Sequence, residues 1–161
     1  MAASGKVSGA VSLFSLISAW SLIVFGGLSL LIAAFSWSWA GAFIGLALLI
    51  HGILENRFRG SFLPQGERSF GKRLAWNQVG LAASGLLYFS WQLASFDRTA
   101  LDAMLARDPL HTLLEQSPPE VSDMFYRDFP KLLAGAYGIA GMLVLLGCLG
   151  MAFMYLKASR K

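Results

Sequence analysis

The sequence predicts an all-α integral membrane protein: a four-helix bundle with both termini cytoplasmic and short amphipathic helices in the outer loop between spans 3 and 4. Three observations carry that expectation. Apolar and aromatic residues make up 56% of the 161 residues and charged ones only 14%, too few polar side chains to coat an ordinary soluble domain. The charges are also confined. Apart from Lys6 they lie in Glu55–Arg73, Asp97–Lys131 and Lys157–Lys161, so Val7–Leu54, Leu74–Phe96 and Leu132–Leu156 carry none. About 20 uncharged, mainly apolar residues at ~1.5 Å rise match a ~30 Å hydrocarbon layer. Finally, the positive residues are unevenly shared between alternate connections.

Val7–Leu54 is too long for one crossing and must fold back. Ser36-Trp37-Ser38-Trp39 divides it, because indoles prefer headgroup depth and serines tolerate a turn. Spans are expected at about 11–35, 37–54, 74–96 and 132–156, joined by a cytoplasmic loop 55–73 and an outer loop 97–131, all in one membrane domain, 1–161. A signal peptide cut near Ala40-Gly41-Ala42 is the weaker alternative, since the first apolar run is roughly twice a normal signal core.

Orientation follows from Lys and Arg in short loops. Nine of them (Lys6, Arg57, Arg59, Arg68, Lys72, Arg73, Lys157, Arg160, Lys161) fall on the side of the termini, against Arg98, Arg107, Arg127 and Lys131 on the other. The expected location is the inner, or plasma, membrane. The net charge of +4 is thus a topology signal, and a nucleic-acid partner is not expected.

Helices in lipid associate through small residues. The first span offers Ser8, Ser12, Ser15, Ala19, Gly26, Ser29 and Ala33; the second Gly41, Gly45 and Gly52; the third Gly80, Ser84 and Gly85; the fourth Ala134, Gly138, Gly141, Cys148 and Ala152. Serines so placed can bond back to the i−4 carbonyl. A lone Cys148 excludes an internal disulfide or a dithiol redox pair.

Ionisable groups within a membrane are the first place to look for function. No Asp, Glu, Lys or Arg falls inside the expected spans, which argues against proton-coupled export through a span carboxylate. Only His51 lies in a span and His111 in a loop, too few histidines for a bis-histidine haem. No spacing of acids or ligands suggests hydrolysis or a metal, so no catalytic residue, metal or cofactor is expected. The remaining constellation is His51 with Glu55 at i+4 and, if the second and third spans are neighbours, Asn77 and Gln78 at similar depth, a candidate polar cluster at the cytoplasmic end. Tyr88, Trp91, Gln92, Trp37, Trp39 and Tyr137 suggest an outer aromatic belt, with Trp76 and Tyr155 as its inner counterpart.

The outer loop is patterned. Leu101, Met104 and Leu105 repeat at helical spacing. Pro109 restarts the chain before Leu110, Leu113 and Leu114. Ser117 as N-cap, Pro118 at N1 and Glu120 at N3 announce a further helix, with Val121, Met124, Phe125 and Phe129 on one face. Met124, Phe125 and Phe129 are the candidate partner-docking face, and capping of the bundle is the other use for these residues. The functional expectation is a non-enzymatic accessory or structural subunit, in contact with lipid and with a membrane-protein partner or copies of itself. The alternative is an oligomeric channel or carrier for a small neutral or weakly protonatable solute; an enzyme is the least supported class.

Overall fold

The structure, a computed structural model, describes residues 9–65, 68–95, 99, 103 and 110–159. Among the described residues every regular element is an α-helix: α1 Gly9–Ser36, α2 Trp39–Gln65, α3 Arg68–Ser95, α4 Leu110–Glu115 and α5 Pro119–Ala158. Three of these are long and apolar enough to cross a membrane: α1 over Val11–Ser36, α2 over Trp39–Ser61, and α5. At 28 residues α3 has the length but is not among them. Its polarity has a local cause: Leu74, Ala75, Asn77, Gln78, Leu81 and Ala82 are all buried, so the face that carries its amides looks into protein.

The α1–α2 hairpin shows how a turn of two tryptophans and two serines is made. Trp37 ends α1 with φ 52°, a left-handed conformation in which glycine is usual. The Ser38 amide then donates back to the Ala33 carbonyl at 3.1 Å, which satisfies one of the helix's last acceptors. The Ser38 hydroxyl accepts the Gly41 amide at 3.1 Å and so caps the start of α2. Below the turn the two backbones touch. A Cβ on Gly26 would sit 2.7 Å from the Leu49 nitrogen and 2.9 Å from the Gly45 carbonyl, and one on Gly52 would meet Ile23.

Three boundaries differ from the sequence expectation. The stretch 55–73, expected as a cytoplasmic loop, is helical to Gln65 and again from Arg68. Its residues are ordinary helix formers, and Gly60 faces open space, so nothing ends α2 before Pro64. The expected short helix beginning near Ser117 and the span from Leu132 form one 40-residue helix, α5, with Pro130 inside it. Pro130 removes one backbone bond without stopping the helix. The start of α5 also moves by one residue. The Ser117 hydroxyl donates to the Leu113 carbonyl at 2.7 Å, closing α4, while Pro118 supplies the first carbonyl acceptor of α5 to Val121. Of the other helices expected in 97–131, the Leu101, Met104 and Leu105 positions lie outside the described residues.

By internal packing the chain divides into two compact units, one of residues up to Tyr88 with those from Leu143, the other Phe89–Met142. In the first, Leu74 and Ala75 of α3 pack on Ala152 and Tyr155 of α5, with Phe58 and Phe70 alongside. Further along, Leu81 and Ala82 pack on Cys148, with Leu22 and Leu48 against them. Cys148, Ala152 and Tyr155 recur every three or four residues, the spacing of one helix face. In the second unit the Phe89 and Tyr137 rings lie 6.0 Å apart, and Phe125 stacks on Phe129 at 4.9 Å. Asp128 there accepts from Lys131 at 2.9 Å and pairs with Arg127 at 3.2 Å.

Candidate functional site

His51 and Glu55 stand one turn apart on α2, and Asn77 and Gln78 are neighbours on α3. Adjacent helical residues point about 100° apart, so the two amides serve different partners. The Asn77 side-chain nitrogen donates to the His51 carbonyl at 3.0 Å. Its oxygen therefore faces the ring, 2.8 Å from Nδ1, and with an oxygen opposite it Nδ1 carries the hydrogen, leaving the Nε2 lone pair free in the neutral ring. The imidazole lies against Gly80, where a Cβ would come within 2.9 Å of Cε1. A larger residue at position 80 would displace the ring.

Gln78 turns instead to Glu55, donating to its Oε2 at 2.7 Å. Two residues that the sequence did not place in this cluster complete the carboxyl's surroundings. Ser18 of α1 donates to Oε2 at 3.1 Å, and Tyr155 of α5 donates to Oε1 at 2.5 Å. Glu55 and Tyr155 are both fully buried. One carboxyl thus joins side chains from α1, α2, α3 and α5, all within the first unit. The acceptor demand of a carboxylate is met by three donors.

Two sequence expectations are corrected here. Tyr155 is no belt residue facing an interface: its ring is packed in the core and its hydroxyl is bound to Glu55. Glu55, expected where the second span gives way to the cytoplasmic loop, stands inside the helix instead. It lies within the apolar stretch Trp39–Ser61 because α2 continues past it and three donors remove the cost of burying it. Both added partners left traces in the sequence. Ser18 stands three residues after Ser15 on the small-residue side of α1, and Tyr155 extends the Cys148–Ala152 spacing by one step.

Two buried polar atoms near this cluster have no hydrogen-bond partner, the Ser15 hydroxyl and Nε of Arg59. Among the described residues no three His, Cys, Asp or Glu side chains form a group able to hold a metal. His111 belongs to α4, with its side chain outside the described set. Met124 is exposed, whereas Phe125 and Phe129 are half-buried through their stacking.

Toward the hairpin, a groove of about 530 Å³ runs beside α1 and α2, lined by Phe25, Leu28, Ile32, Leu48 and Tyr88. Its open, apolar character suits hydrocarbon and offers no charged group to a solute. Trp37, Trp39 and Trp76 are strongly exposed. Comparison with known protein families, with characterised proteins and with solved structures finds no match.

Proposed function

We propose that the chain is a four-span protein of the inner (plasma) membrane, with both termini cytoplasmic, serving as a non-enzymatic accessory or structural subunit of a membrane assembly. The observation that carries this reading is that the four residues of the interior polar cluster are held by side-chain hydrogen bonds between helices. Glu55, Gln78, Ser18 and Tyr155 bond to one another, as do His51 and Asn77, so the interior acts as a fastener. Apolar side chains such as Phe14, Ile17, Phe25 and Leu146 point outward, as suits contact with lipid and neighbouring helices. Met124, Phe125 and Phe129 are the face proposed to meet the partner.

Tagged protein purified in mild detergent and analysed by mass spectrometry tests this. A stoichiometric foreign subunit, lost on Met124→Lys, is expected; a lone homo-oligomer would overturn the reading. In that event the second reading, an oligomeric carrier for a small weakly protonatable solute, takes over, and the buried carboxyl of Glu55 is the observation that favours it.

A further inference from the structure

Glu55, Tyr155 and Ser15 form a cluster whose hydrogen bonds leave one hydroxyl unused. Tyr155 donates to Glu55, while Ser15, 1% exposed, has no partner. The Ser15 side chain lies beside the Tyr155 hydroxyl without a hydrogen bond of full geometry between them. A buried hydroxyl without a partner is costly and calls for a state in which it is used.

Adding a proton to Glu55 creates that state. A carboxylic O–H must donate, and of the three groups on Glu55 the Gln78 nitrogen cannot accept, since both its hydrogens are donors. The hydroxyls can, and Tyr155 is the nearer at 2.5 Å against 3.1 Å for Ser18. Once Tyr155 accepts from Glu55, its own hydrogen needs an acceptor, and the unused Ser15 oxygen is beside it. We propose that this cluster is a proton-binding site that registers the proton by reversing one hydroxyl. With Glu55 ionised, Tyr155 donates to the carboxylate; with Glu55 protonated, the acid donates to Tyr155 and Tyr155 donates to Ser15. The proton is taken from solution onto a Glu55 oxygen, and no bond between heavy atoms changes.

The surroundings are simple enough for one group to dominate. The described residues of α1 include no ionisable side chain. Along α2, His51 stands one turn before Glu55 and Arg59 one turn after. From α3 come the neutral Gln78 and Asn77, with Lys72 and Arg73 exposed at its start. From α5 come Tyr155 and Cys148, with Lys157 exposed. A proton here needs no partner subunit, so the site stands or falls independently of the assembly reading.

Infrared difference spectroscopy on the purified full-length protein tests it, stepping the pH between about 4 and about 9, the range open to buried carboxyls. A protonated-carboxyl stretch that appears on acidification and vanishes in Glu55→Gln is expected. The band should move to higher frequency in Tyr155→Phe, whose ring cannot accept, and by less in Ser15→Ala, which loses only the relay's end. No Glu55-dependent band at any pH overturns the proposal, as does a band unmoved in Tyr155→Phe. Ser15→Ala removes an unpaired hydroxyl and leaves the packing in place, so if Tyr155→Phe fails to fold, an unchanged band in Ser15→Ala is itself a refutation.

Discussion

The Glu55 carboxyl has three donors, and they are unequal. Tyr155 makes the shortest bond and is fully buried. Tyr155→Phe should therefore lower stability by about 1–3 kcal/mol, the cost of leaving a buried polar group without its hydrogen bond, read as an earlier thermal transition in detergent by circular dichroism. Ser18→Ala, at a longer and partly exposed contact, should cost less. Gly80 sets the position of His51 through space alone. Gly80→Ala should break the 2.8 Å contact with Asn77, which the nitrogen resonances of the imidazole would report; unchanged resonances would mean that the ring can slide aside. His51, Glu55, Asn77 and Gln78 were legible in the sequence because two of them share a helix face and two share a depth. Ser18 and Tyr155 were not, since a serine beside a small-residue stripe carries no signal of its own and a tyrosine near a helix end reads as an interface anchor. Only tertiary packing brings those hydroxyls to a carboxyl.

For the helices, the α1–α2 hairpin combines strain at its tip with close contact below. Trp37 occupies a left-handed conformation that costs a non-glycine residue roughly 1–2 kcal/mol, so Trp37→Gly should stabilise the turn, within what the added freedom of the unfolded chain offsets. If the exposed indole is a headgroup anchor, the same change should weaken quenching of the remaining tryptophans by brominated lipid. Two adjacent glycines give a sharper contrast. Gly26 abuts the α2 backbone while Gly27 faces open space. Gly26→Val should cost about 1–3 kcal/mol or more by overpacking, and Gly27→Val almost nothing, measured in the same unfolding assay. Helix existence was readable from the charge-free windows, and the hairpin from its serines and tryptophans. Helix ends were not. Charge marks where a chain leaves hydrocarbon, yet hydrogen bonding lets α2 and α5 continue beyond that point, and Pro130 inside α5 shows that even a proline need not end a helix with surplus length.

For the whole molecule, the proposed topology makes a prediction on the two faces of the membrane. Cysteines introduced at Arg57 and Asp123, in a Cys148→Ala background, should react with an impermeant maleimide from opposite sides, Asp123→Cys from outside intact cells. Labelling of both from one side would refute the arrangement. The expected orientation rests on the asymmetry of Lys and Arg, which acts during insertion and is a matter of loop composition alone.

The bond between Glu55 and Tyr155 also spans 100 residues of chain. At roughly 5–20 residues per second, a ribosome takes about 5–20 s to make the tyrosine after the glutamate. Throughout that interval the nascent protein holds an acid deprived of its closest donor, and the defect disappears only when Tyr155 has been made and packed. Products that include Glu55 but end before Tyr155 should therefore be cleared faster by membrane proteases than chains that include both, as a pulse-chase comparison would measure.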